Sequence, residues 1–345
     1  MALPDLSKPE ALANAAAHAL MANAAERDLL HKACHTGPMA RARVISMVEG
    51  RELRIGINGY TGRGKTTALR GLAAKLQSMG GLPTVSVEVD RDGAGAGQRN
   101  FVRIPVSLPA PVLDDADDVD PDKLRRAAKA VRQAMIRQVM AGVAKGGRFL
   151  HTGEACALVF ESMSALWRSY YDLVQQEFPE GHEDAFGRER GAAYRECYKA
   201  VSYTLGSAQA KETAWAVQGP IVAAVVCHAK PTYGPKPKDG GAARFEGWAM
   251  AAGPSMVGPF VGSVDYNLGF GMRPSDPPES VYPPKGGFYA CYTQAQHPQC
   301  KARIDTPEEV KAAETFLAKA DLANFAETIY NLRRARAFDA LKATT

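Results

Sequence analysis

Hydrophobic positions recur along this chain in two rhythms, one of about 3.6 residues and one of 2. Between residues 5 and 35 the spacing is helical, with Leu12, Ala15, Ala16, Leu20, Ala24, Leu29 and Leu30 marking one or two Ala-rich helices. Leu53 to Asn58 is a short apolar run that stops at Gly59, which predicts a buried strand. From Gly64 to Met79 the helical period returns, and Gly80-Gly81 closes it. Thr84 to Asp90 alternates and is rich in Val, so it predicts a strand, with a turn at Asp92-Gly93-Ala94-Gly95. Phe101 to Val106 predicts a further strand, and Asp114 to Asp122 an acidic, Pro-flanked loop.

A basic amphipathic helix runs from Lys123 to Lys145, with Leu124, Ala127, Ala128, Val131, Met135, Ile136 and Val139 on one face. Its Arg125, Arg126, Lys129, Arg132 and Arg137 read as a solvated face. Ala155 to Glu161 is continuously apolar and ends in an acid, helices cover 163–177 and 188–216, and Ile221 to Cys227 is a buried strand followed by His228. Lys230 to Arg244, rich in Pro, Gly and Lys, predicts a long mobile loop. Short β-like pieces broken by Gly and Pro continue to Arg303. Thr306-Pro307-Glu308-Glu309 then opens one or two C-terminal helices, with Thr as N-cap and Pro at the first helical position. No internal repeat is visible. The alternation of strand and helix predicts an α/β fold with a mostly parallel central sheet flanked by helices. Three parts follow: a helical N-terminal extension over 1–50, a core over 51–305 and a helical C-terminal extension over 306–345.

Composition narrows the class. Apolar residues are 46% and charged residues 23% of 345, which excludes collagen-like, coiled-coil and disordered chains. No run of about 18 apolar residues predicts a membrane span, and the first residues lack the basic-then-apolar order of a secretory signal. The formal charge of +5 permits phosphate or nucleic-acid binding without requiring it. The six cysteines (Cys34, Cys156, Cys197, Cys227, Cys291, Cys300) form no C-x-x-C pair and no zinc spacing, so the expected compartment is reduced and cytoplasmic.

The candidate chemistry centres on Gly59-Tyr60-Thr61-Gly62-Arg63-Gly64-Lys65-Thr66, which fits G-x-x-x-x-G-K-[ST] between a predicted strand and a predicted helix. Glycines let backbone N–H groups wrap phosphates, and the helix N-terminus adds its positive dipole end. Gly59, Thr61, Gly62, Arg63, Gly64, Lys65, Thr66 and Thr67 are the expected nucleotide-binding residues, with Lys65 on the β- and γ-phosphates and the Thr66 hydroxyl on Mg²⁺. Glu161, closing an apolar strand, is the expected acid on the Mg²⁺ side. His228 sits at the tip of a central strand, facing the crevice where open α/β sheets bind ligands. It has two readings, a contact to the γ-phosphate or a hydrogen-bonded strand-end histidine.

The order GYTGRGKT, VSVEVD, ALVFES, IVAAVVCHAK, GPSMVGPFVGSVDYNL and CKAR resembles the RecA-like P-loop ATPases of phage genomes, which include single-strand-annealing and recombination accessory ATPases. The likeness spans about residues 50–305. It implies Mg²⁺-dependent ATP hydrolysis at the interfaces of a homo-oligomeric ring or filament, in a phage protein of the host cytoplasm. By the same resemblance Asp90 activates the attacking water, with Asp92 and then Glu88 as alternatives, and Lys301 and Arg303 cross to a neighbour's γ-phosphate. Lys230, Lys236, Lys238 and Arg244, with Tyr233 and Phe245, would track single-stranded DNA. Glu161 departs from the commoner Asp. Two rival readings are a P-loop kinase of small molecules and a nucleotide-binding structural protein of a phage particle.

Overall fold

The computed structural model describes residues 5–89, 93–107, 120–177, 183–236, 243–280, 283–284 and 287–345, without the side chains of residues 121, 183–194 and 254. Helices α1 (Pro9–Ala19), α2 (Ala24–Thr36) and α3 (Pro38–Glu49) precede β1 (Glu52–Gly59), α4 (Lys65–Gly80), β2 (Thr84–Glu88) and β3 (Phe101–Pro105). Then come α5 (Pro121–His151), β4 (Ala157–Glu161), α6 (Met163–Glu177), α7 (Glu183–Gln209), α8 (Lys211–Ala216) and β5 (Ile221–Tyr233). The chain finishes through β6 (Phe245–Met250), α9 (Pro254–Ser263), β7 (Tyr266–Phe270), β8 (Ala290–Cys291), β9 (Lys301–Ala302), α10 (Pro307–Phe316) and α11 (Leu322–Lys342).

The sheet runs β3-β2-β4-β5-β1-β7-β8, and the strands from β3 to β7 are all parallel. β8 and β9 pair antiparallel with β7. The fold is therefore α/β with a mostly parallel central sheet, as the alternation of apolar periods predicts. Helices cover both faces, which explains why Ile221 to Cys227 is apolar without alternation and is buried throughout. Because the strands are parallel, β1, β2 and β4 end at one edge, which brings Gly59, Glu88 and Glu161 there together with His228, the β5 partner of Gly59. Among the described residues, no helix is long and apolar enough to cross a membrane.

Several elements depart from the local pattern. The α3 helix, starting at Pro38 and burying Val44 and Val48, was not among the predicted elements. The α5 helix does not stop at Lys145 but continues to His151. Gly146 lies so close to the sheet that a Cβ there would stand 2.6 Å from Leu158 Cδ1, so this glycine is used for helix–sheet contact. Arg132 is not on a solvated face: it is buried, pairs with Glu177 at 2.9 Å and donates to the Tyr170 hydroxyl at 2.6 Å. The segment 254–263 is the helix α9, not a β-like piece, because Met256 and Phe260, one turn apart, are both buried. The predicted helix over 188–216 is two helices, parted at Ala210.

The terminal helices belong to the core. One continuous apolar cluster includes Leu12, Val44, Ile57, Val225, Phe325 and Leu341, and α11 packs along α4. Arg51 joins these layers. Its buried guanidinium donates to the carbonyls of Val48 (2.9 Å), Ala19 (2.6 Å) and Val217 (3.0 Å), and to those of Gly219 and Ala214. Burial lowers its pKa to about 10, so it stays charged near neutrality.

Candidate phosphate-binding site

β1 ends at Gly59 and the chain turns through 60–64 into α4. Gly64 is in the left-handed region with φ +86, and a Cβ on it would lie 2.7 Å from Phe288 Cδ1. Lys65 follows at once. Its side chain folds back inside the turn and donates to the carbonyls of Gly59 (2.7 Å) and Tyr60 (2.9 Å). A buried ammonium held by two carbonyls of its own loop sits at the N-terminus of a 16-residue helix, the positive end of its dipole. That arrangement fits a polyphosphate, since the dipole and the ammonium act on the same anion. Thr61, Gly62 and Thr67 are exposed, and Thr66 is half-buried.

Arg63 behaves differently from its neighbours. Its side chain is 2% exposed, stands over the Trp248 ring at 5.5 Å and donates from Nη2 to the Pro277 carbonyl at 3.0 Å. Any phosphate contact from Arg63 would fall to its backbone, because the guanidinium is packed into the fold.

Two buried carboxylates close the neighbouring strands. Glu161 of β4 accepts the Ala94 N–H at 2.6 Å, and Glu88 of β2 accepts the Gly95 N–H at 3.0 Å. Arg103 of β3 donates to Glu88 at 2.6 Å, and that bond holds the guanidinium more firmly protonated. Arg70 of α4 donates to the carbonyls of Ala94 (3.0 Å) and Ala96 (3.3 Å), so the helix that starts at Lys65 also fixes the loop that binds both acids. Asp90 and Asp92, the expected water-activating acids, lie outside the described residues. Among the described residues no group of three His, Cys, Asp or Glu could hold a metal ion. A Mg²⁺ at Thr66 and Glu161 would thus depend on nucleotide phosphates for most of its ligands, which is the usual arrangement for this hard cation.

His228 is half-buried within β5, opposite Gly59 where the pairing with β1 ends, its backbone N–H donating to Ser164 Oγ at 2.8 Å. Cys227 beside it is buried, and burial pushes its thiol up to about 12. His228 lines a cleft of about 680 Å³ between the turn after β1, α6 and the middle of β5.

The expected mobile loop after His228 is partly strand. β5 runs past the sheet edge to Tyr233 and pairs antiparallel with β6, from Ala229↔Met250 to Tyr233↔Phe245. Lys230, Lys236 and Arg244 are exposed on this hairpin, and Lys238 lies outside the described residues. Aromatic rings run down it toward the turn after β1: Tyr233 to Phe245 at 6.0 Å, Phe245 to Trp248 at 5.4 Å and Trp248 to Tyr60 at 5.2 Å.

Lys301 and Arg303 are not brought to the turn within the chain. β9 pairs with the beginning of β7, where Tyr266 opposes both Ala302 and Ile55. Ile55 lies four residues before Gly59, about 13 Å along the strand. Lys301 donates to the carbonyls of Val261 (3.2 Å), Gly262 (3.5 Å) and Val264 (3.0 Å), capping the C-terminal end of α9. Arg303 is 59% exposed and pairs with Asp265 and Asp305 at 3.7 and 3.9 Å.

Sequence reasoning missed the polar support behind the turn. Asn58 donates to Asn267 Oδ1 at 2.6 Å, Asn267 donates to the Gln299 carbonyl, and Gln299 Oε1 accepts the Met250 N–H at 2.9 Å. His297 contacts the Trp248 carbonyl through Nε2 at 2.9 Å. These partners stand far apart in sequence, and no spacing announces them. No protein-family model and no curated protein matches this chain.

Proposed function

We propose that this chain is a Mg²⁺-dependent ATPase on a RecA-like P-loop core, working with nucleic acid as a homo-oligomer. The observation that carries the reading is the Lys65 ammonium, held by the Gly59 and Tyr60 carbonyls in a GYTGRGKT turn between a central parallel strand and a helix. ATP would draw that ammonium onto its β- and γ-phosphates, while Thr66 and Glu161 face the metal. Glu161 at the end of β4, one strand removed from β1, supports the same arrangement. The basic, aromatic hairpin supports a nucleic-acid partner.

The cleft beside Tyr60 and Thr61 has room for an acceptor molecule, which favours phosphoryl transfer to a small substrate as the second reading. Steady-state phosphate release with and without single-stranded DNA tests the first reading. Lys65→Ala is expected to abolish turnover. Turnover at the wild-type rate in that variant would end the ATPase reading, and phosphate appearing on an added acceptor instead of in solution would favour the kinase.

A further inference from the structure

The cleft beside His228 on β5 carries chemistry that ATP at the turn would not use. Its α6 wall presents Trp167 and Tyr171, one helical turn apart, with ring centroids 5.9 Å apart and planes inclined by 38°. Both are half-buried, so together they form a continuous aromatic surface that solvent reaches. Arg168 on the same helix and Lys230 on β5 are exposed cations on the cleft's rim, and His228 is half-buried within it. No carboxylate lines it among the described residues, in a chain with 37 acidic residues. At about 680 Å³ it is the size of a small-molecule site.

An aromatic platform recognises a planar ring, and flanking cations recognise an anion. We infer that this cleft binds one nucleotide unit, its base on Trp167 and Tyr171 and its phosphate between Arg168 and Lys230. The ligand is distinct from the ATP of the proposed function, and the inference deepens that reading by naming the second ligand beside it. Tyr60 links the two sites: it lines the cleft, belongs to the phosphate-binding turn and packs on Trp248. The unit comes either from a free mononucleotide or from a single strand, since both offer the same base and phosphate.

The wild-type chain is irradiated with 5-iodo-dUMP or with an oligo(dT) carrying 5-iodouracil, and the adducts are mapped by peptide mass spectrometry. An adduct on Trp167 or Tyr171 is expected. An adduct from the strand alone assigns nucleic acid, and one from the mononucleotide assigns a small-molecule substrate. Arg168→Glu and Lys230→Glu should each weaken binding of the labelled ligand by roughly tenfold at low salt, with the milder Arg168→Gln and Lys230→Gln following by about threefold. Adducts confined to other residues, binding of neither ligand, or charge reversals without effect would each overturn the inference. ATP binding is measured on the same wild-type sample. Labelling of the cleft without ATP binding would refute the ATPase and leave this site standing, and ATP binding without labelling would do the reverse.

Discussion

Glu88 and Glu161 stand opposite one another at the ends of β2 and β4, and the adjacent N–H groups of Gly95 and Ala94 bind one each. Two buried carboxylates so close would repel unless the charges were shared out. Arg103 pairs with Glu88, and in the proposed ATPase Glu161 would be the acid of the pair that serves the metal. Glu161→Gln, which keeps an acceptor for Ala94, should preserve the fold and lower Mg²⁺-dependent phosphate release by about 100-fold or more. Glu88→Gln should instead lower unfolding free energy by about 1–3 kcal/mol, read by urea denaturation. Equal effects of the two variants on turnover would contradict this division of roles.

Arg51 satisfies five carbonyls from α1, α3 and the segment around α8. Arg51→Met should cost about 3–5 kcal/mol, because it leaves several buried acceptors without donors. Arg51→Lys should fall between, since an ammonium has three donors and a shorter reach. Chemical denaturation curves check both values.

His297 supplies the pH dependence. Its Nδ1 accepts the Gln299 N–H at 3.2 Å, so Nε2 carries the proton and donates to the Trp248 carbonyl. Burial lowers its pKa below 6.5, and the folded protein therefore holds it neutral. The unfolded chain binds the extra proton first as pH falls. The stabilisation is thus complete above about pH 6.5 and is lost as pH drops through the window below it, levelling off beneath the folded pKa. His297→Gln should flatten that limb of a Tm-against-pH curve. Trp248 packs on Tyr60, so ATP affinity should weaken over the same window in the wild type.

The two cations near β9 should separate by role. Lys301→Ala removes the cap on α9 and should cost about 0.5–1 kcal/mol, with the effect read as a lower Tm. Arg303→Ala should keep ATP binding and reduce turnover by roughly 10³-fold, if a neighbour's γ-phosphate is its target. Co-assembled Lys65→Ala and Arg303→Ala subunits should regain activity at interfaces that pair an intact Lys65 with an intact Arg303. Mixed oligomers without recovery would confine the site to one chain.

Local order along the chain determined the strands β1, β4 and β5, the helix α4 and the turn that joins β1 to α4. An apolar run, a 3.6-residue period and a glycine stop are all read within a dozen residues. The acid at the end of β4 and the histidine that closes the apolar run of β5 follow from the same local reading, and parallel pairing carries them to one edge. Tertiary structure decided the rest. The segment after His228 became a hairpin only because β6 was present to pair with it. Gly146 continued a helix because Leu158 lay beneath it. Arg63, Lys301 and Arg51 took main-chain carbonyls as partners, and every residue carries a carbonyl, so no pattern of side chains could announce the choice. The cleft unites Tyr60, Trp167 and Lys230 across three separate elements. Such a site depends on which strands become neighbours, and that is settled by burial of the whole sheet and not by any one segment.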